Sequence, residues 1–376
     1  MPRRLVICCD GTWNRPDQHS DGVPAPTNVT KVALGVDRKD EAGADQLLFY
    51  QPGVGTRRFE RLRGGAFGIG LSRNVRDCYR FLVENYRPGD ELYFFGFSRG
   101  AFTARSTVGL VRNSGILRAE HVGRIKDAYR LYRDRAKPSA PNGIEAEIFR
   151  RMYSHDDRPI RFVGVWDTVG ALGIPSDAVR LPLLTRRWTF HDTTLSSRVQ
   201  AAFHAVAIDE RRKPFKPTLW VQQPHAGDQT LEQVWFAGVH CDVGGGYREQ
   251  ALAEIPLLWM VKRARECGLA FKPDHFLTPD GQPDEESRRL GKHTAPDPLG
   301  EIHESYKSFY RLLPPRWRPL TGAENMPGDS PPGSALHLAV ASTAVARAEG
   351  LPGYAPPELA DYLAAGEPVT EVAAPA

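Results

Sequence analysis

The sequence predicts an α/β protein with a mostly parallel central sheet and helices on both faces. Three observations carry that prediction. Apolar runs of strand length alternate with helical spacing from residue 5 to residue 267, the order that βαβ crossovers require. One run, Leu92-Tyr93-Phe94-Phe95-Gly96-Phe97, enters a sharp G-x-S-x-G turn at Ser98 and leaves it as a helix beginning Ala101-Phe102. Four polar constellations follow predicted strands, namely Asp10, Ser98, Asp167, and His240 with Asp242, at the edge where open α/β sheets bind ligands.

Leu5 to Cys9 reads as the first strand, closed by the polar turn Asp10-Gly11-Thr12-Trp13-Asn14. Residues 15–27 read as loop, and Asn28 to Val36 as a short helix with Asn28 as its cap. Gln46 to Tyr50 makes the second strand. The glycine-dense segment 64–70 lacks the G-x-x-x-x-G-K-[ST] pattern of a phosphate loop and suits a flexible rim or close packing. Leu71 to Asn85 has the spacing of an amphipathic helix, and Pro88-Gly89-Asp90 turns the chain into the strand that delivers Ser98.

Residues 101–136 read as two or three helical pieces, and Arg161 to Trp166 as a strand that stops at Asp167. Leu195 to Val206 suggests a helix with His204 packed on its apolar face. Gln233 to Val239 is the last clear strand; it runs into His240-Cys241-Asp242-Val243 and a triple glycine, 244–246, that lets backbone approach a ligand. A helix over 251–267 follows. The Pro-, Asp- and Gly-rich stretch around 271–298 reads as a lid or loop insertion in a catalytic domain of residues 1–320. Residues 321–376 read as a Pro-, Gly- and Ala-rich C-terminal extension with one helix at Ala335 to Ala348.

Composition narrows the classes. The 376 residues are 41% hydrophobic, enough for a large core, and a net charge of +4 with both signs interspersed falls short of a nucleic-acid footprint. The arginine-rich stretch 56–63 suits peripheral contact with anionic lipid or phosphate, or else a solvated face. No run approaches the length of a membrane span. Five cysteines without a C-x-x-C pair suggest no disulfide framework or zinc site, so the expected setting is cytoplasmic, with export by a route that needs no signal peptide left open.

The chemistry follows from the strand ends. Ser98, Asp167 and His240 stand in the nucleophile, acid, base order of α/β-hydrolases. A serine hydroxyl needs a base to take its proton, and the base needs an acid to hold its tautomer. The N–H of Arg99 and one from the Gly11-Thr12 turn are the expected oxyanion donors, with Asp10 fixing that turn and Asp242 shaping the site. His303, in Ile302-His303-Glu304-Ser305, is the alternative base. Two other readings stand beside this one: a metal-dependent hydrolase using Asp10, His240 and Asp242, and a non-catalytic binding module on the same fold. The serine reading needs no metal and no cofactor. Oligomeric state is left open.

Four blocks also resemble a known family. Cys9-Asp10-Gly11-Thr12-Trp13-Asn14, Gly96-Phe97-Ser98-Arg99-Gly100-Ala101, Val165-Trp166-Asp167-Thr168-Val169-Gly170 and the stretch from Gly238 to Tyr247 are similar to successive blocks of the domain-of-unknown-function 2235 family, which includes the catalytic domain of type VI secretion phospholipase effectors. Ala205 to Arg212 and Ile302 to Ser305 resemble further blocks, so the likeness covers roughly residues 5–310. The resemblance implies an α/β-hydrolase fold and a serine esterase acting on acyl esters of phospholipids, with Ser98, Asp167 and His240 as nucleophile, acid and base.

Overall fold

The computed structural model describes residues 2–12, 14–20, 22–54, 66–156, 160–170, 193–224, 226–278, 284–307, 310, 311, 314–328 and 330–372. The arginine-rich stretch 56–63 lies outside them, as does the start of the glycine-dense segment. Among the described residues eight parallel strands form one sheet. In chain order they are β1 (Arg4–Cys9), β2 (Gln46–Gln51), β3 (Glu91–Phe97), β4 (Ile160–Trp166), β5 (Val199–Ala207), β6 (Thr230–Phe236), β7 (Leu338–Ala341) and β8 (Val369–Thr370). Their spatial order is β2-β1-β3-β4-β5-β6-β7-β8. The chain therefore goes from β1 to one side, returns, and continues from β3 to the other, which makes the gap between β1 and β3 the switch point where such sheets open a crevice.

Because helices cover both faces, successive residues of a strand enter different cores. Val6, Cys8, Tyr93, Phe95 and Phe97 face one core with Phe162, Trp166 and the helix Ala251–Glu266. Leu5, Ile7, Cys9, Leu92 and Phe94 face the other, with Ala66–Asn85 and Arg99–Ser114. A third cluster, including Val206, Trp235, Val340, Leu359 and Tyr362, seats the last strands and helices on the sheet. Lys31 and Glu254, both buried, form an ion pair of 2.7 Å that ties helix Asn28–Gly35 to Ala251–Glu266.

Three elements differ from the sequence reading. The segment expected as a helix over Leu195 to Val206 is the central strand β5. The helix expected over Ala335 to Ala348 is divided into β7 and a helix at Ser342–Gly350, so β6 is not the last strand. The cap of the first helix is Thr27, whose hydroxyl accepts the Thr30 N–H, whereas the Asn28 amide donates to the carbonyls of Val243 and Ala253. Of the stretch around 271–298, the described residues carry a short helix, Glu285–Leu290, and bury Phe271 and Phe276.

Candidate active site

The elbow at Ser98 is built by sterics. Ser98 takes φ 58° and ψ −122° between β3 and the helix Arg99–Ser114, a conformation that costs energy for a non-glycine residue and lifts its side chain off the sheet edge. Its flanking glycines are needed for close approach. A Cβ on Gly96 would stand 2.6 Å from Ala101 Cα, and one on Gly100 would stand 2.1 Å from the carbonyl oxygen of Cys9. The second contact holds the start of the serine's helix directly against the end of β1. That juxtaposition brings the Asp10–Thr12 turn beside Ser98.

The three strand-end residues converge. Ser98 Oγ lies 2.8 Å from His240 Nε2, and His240 Nδ1 lies 2.5 Å from Asp167 Oδ2. All three are at least 95% buried. Burial alone would push the Asp167 carboxyl up, but the charge of Arg318 and the contact with His240 hold it well below the usual carboxylate range. His240 is displaced downward as well, because burial outweighs the attraction of Asp167. With Nδ1 facing the Asp167 carboxylate and Nε2 facing the Ser98 hydroxyl, the neutral tautomer that fits both contacts carries its proton on Nδ1 and accepts from Ser98 at Nε2. Phe97 and Phe215 pack on the ring, with centroids 4.7 Å and 4.9 Å away.

Asp10 sits at the centre of a buried network. Its Oδ2 accepts from Tyr50 at 2.6 Å, Thr27 at 2.7 Å and Thr30 at 3.0 Å, while Oδ1 accepts the Gly11 N–H at 2.7 Å. The Gly11 N–H is thus turned onto Asp10, in a turn whose Gly11 lies against Ser98, a Cβ there standing 3.4 Å from the Ser98 Cβ. On the other side, Arg99 is the first residue of the helix that follows Ser98, at the end where the helix dipole is positive.

The remaining candidates serve the frame. Asp242 accepts the Val239 N–H at 2.9 Å and the His303 Nδ1–H at 2.6 Å, so His303 braces the loop of His240 and does not reach Ser98 as the alternative base would. Tyr247 stacks on His303 with centroids 3.9 Å apart. Asp10, His240 and Asp242 each spend their donor atoms on different partners, and no group of three or more metal-ligating side chains forms among the described residues. Within the triple glycine, a Cβ on Gly245 would meet Asn28 N at 2.9 Å and one on Gly244 would meet the Phe97 ring at 2.0 Å, so these two glycines allow close packing. His204 is packed, on β5, and accepts the Thr168 N–H at 3.1 Å, which fixes the turn behind Asp167.

Two groups escaped the sequence reading. Arg318 forks onto Asp167, Nη1 donating to Oδ1 at 2.7 Å and Nη2 to Oδ2 at 3.0 Å. Glu210, buried and paired with Arg212 at 2.7 Å, accepts the His240 N–H at 3.3 Å. The signal for Glu210 was a charged run directly after an apolar strand, as at the other strand ends. Arg318 lies in the Pro-rich segment Pro314-Pro315-Arg316-Trp317-Arg318-Pro319, where no periodicity marks it.

With this geometry established, comparison with known proteins gives the following. The family model described as "T6SS, Phospholipase effector Tle1-like, catalytic domain" matches residues 3–263. An uncharacterized protein of Saccharomyces cerevisiae, YEL023C, is 29% identical over 244 residues, covering 59% of this chain and 33% of its own length. A crystal structure of an uncharacterized protein from Pseudomonas aeruginosa aligns over 72% of this chain and 46% of its own, at 18% identity and a TM-score of 0.45. The Tle1 effector bound to the VgrG spike from the type 6 secretion system aligns over 66% of this chain and 52% of its own, at 18% identity and a TM-score of 0.38. The chain thus spans a third of the length of the curated relative and about half that of the two structures.

Proposed function

Since this chain belongs to the type VI secretion phospholipase effector Tle1-like catalytic domain family, we propose that it is a serine hydrolase that cleaves carboxylic esters, with phospholipids or related lipid esters as the substrate class. The observation that carries the mechanism is the unbroken path from Ser98 Oγ through His240 to Asp167. His240 Nε2 takes the hydroxyl proton as Oγ attacks the acyl carbonyl carbon. Charge passes to the carbonyl oxygen, which the N–H groups of Arg99 and Thr12 receive, and the developing imidazolium is balanced by Asp167. Collapse of the tetrahedral adduct breaks the ester C–O bond, and His240 returns its proton to the departing alcohol. Water, deprotonated by the same nitrogen, then releases the acid and restores Ser98.

The substrate class rests on family membership and the ester chemistry on the site. Among the described residues no helix is long and apolar enough to cross a membrane, so contact with lipid in this reading is peripheral. The test is Ser98→Ala assayed on phospholipid vesicles and on short-chain nitrophenyl esters, beside fluorophosphonate labelling. Expected are labelling of the parent alone and loss of at least about 10⁴-fold in kcat. Full activity in the variant overturns the serine mechanism; turnover of short esters with none of vesicles removes phospholipids as the substrate.

A further inference from the structure

Arg318 is the unusual member of the site. Its guanidinium is buried and donates to both oxygens of Asp167, to the Ala207 carbonyl at 2.8 Å and to the Phe215 carbonyl. Asp167 Oδ1 also accepts the Ala207 N–H at 3.1 Å. The carboxylate therefore holds four donors: Oδ2 is shared between His240 and Arg318, and Oδ1 between Arg318 and Ala207. With each oxygen taken on two sides, its plane has no freedom to rotate away from the imidazole. Taking two full charges out of water is a poor way to gain stability, since the desolvation cost offsets most of the attraction. Arg318 Nε also stays buried without a partner. A purely structural account of the pair is therefore weak.

The electrostatic consequence points the same way. Asp167 pulls the titration of His240 up while burial and Arg212 push it down, and a positive charge held on Asp167 weakens that upward pull. We propose that Arg318 is a positioning residue that acts through Asp167, fixing the carboxylate's rotation and cancelling its resting charge so that His240 waits as a neutral base. This rests on the serine-hydrolase reading above. The other groups that face the pair are Glu210 at the His240 N–H, Arg212, which lies over Phe215 and acts on His240, Cys241 next to His240, and His204 behind Thr168. The family match ends at residue 263, so Arg318 comes from a segment beyond it.

The experiment compares Arg318→Gln and Arg318→Lys with the parent and with Ser98→Ala. It reads short-ester kcat and KM across pH, the pH at which the His240 ring titrates by NMR, and thermal melting as a fold control. Arg318→Gln is expected to lower kcat about 10- to 100-fold with KM little changed. It should also move both the acid limb and the His240 titration to higher pH by about one unit, because a nearby positive charge has been removed. Arg318→Lys keeps the charge and loses the fork, so it should hold the limb in place while kcat still falls. A folded Arg318→Gln whose limb and His240 titration do not move overturns the proposal. If that variant does not fold, Arg318→Lys with the parental kcat does so. Activity surviving in Ser98→Ala would instead strike down the mechanism on which the inference rests, and the two failures are thereby told apart.

Discussion

The imidazole of His303 stands 2.6 Å from the carboxylate of Asp242, whose other oxygen accepts the N–H of Val239 at 2.9 Å, one residue before His240. A side chain 61 residues downstream thus clamps the loop that carries the proposed base. The carboxylate raises the titration of His303 above its ordinary value. A folded-state value above the unfolded one means stabilisation fully present below the unfolded value, about pH 6.5, and lost as pH climbs through the folded one. His303→Ala should therefore lower the melting temperature more at pH 5.5 than at pH 8.5 and leave kcat within about fivefold of the parent. Thermal melts at the two pH values check it, and abolished hydrolysis would return His303 to the chemistry.

The base itself gives a second test. His240 must be neutral to accept a proton, and burial lowers its titration. The acid limb of kcat/KM should accordingly lie below about pH 6.5. A limb above that value would mean that Asp167 dominates the ring and that Arg318 does not offset it.

Asp10 gathers Tyr50, Thr27, Thr30 and the Gly11 N–H around one carboxylate. Asp10→Asn places an N–H₂ where donors converge and frees the Thr12 turn. Its kcat should fall about 10²-fold with KM nearly unchanged, whereas Tyr50→Phe, which removes one of the donors, should do less. Steady-state kinetics on a short ester separate the two.

Gly100→Ala should cost about 3 kcal/mol or more in stability, because its Cβ would meet the backbone oxygens of Cys9 at 2.1 Å and Asp10 at 2.5 Å. Gly123→Ala, with nothing within 4 Å of the added atom, is the matched control. Urea denaturation of the pair measures the difference.

The candidate site was legible in the sequence where a strand led to it. Ser98, Asp167 and His240 each follow an apolar run, and a parallel sheet delivers such residues to one rim whatever their separation. Arg318 was not legible, since it arrives from a segment with no repeating pattern and is selected only by the three-dimensional position of Asp167. The β5 error has a separate cause. Val199–Ala207 contains four alanines, strong helix formers, and a strand covered on both faces has no polar alternation to betray it. The same composition disguised β7, whose four residues are Leu338, Ala339, Val340 and Ala341. Tertiary pairing decided both, through parallel ladders to β4 and β6 for the one and to β6 and β8 for the other.

Arg318 reaches Asp167 across 151 residues, from beyond the stretch by which the chain's kinship is detected. An expression fragment trimmed to that recognisable stretch would keep the serine, the histidine and the aspartate. It would strand the aspartate without its counter-cation and strip the sheet of β7 and β8. Inactivity of such a fragment would then say nothing about the chemistry of the whole chain, and boundaries for cloning relatives of this protein are better set by where the acid finds its arginine than by where sequence similarity fades.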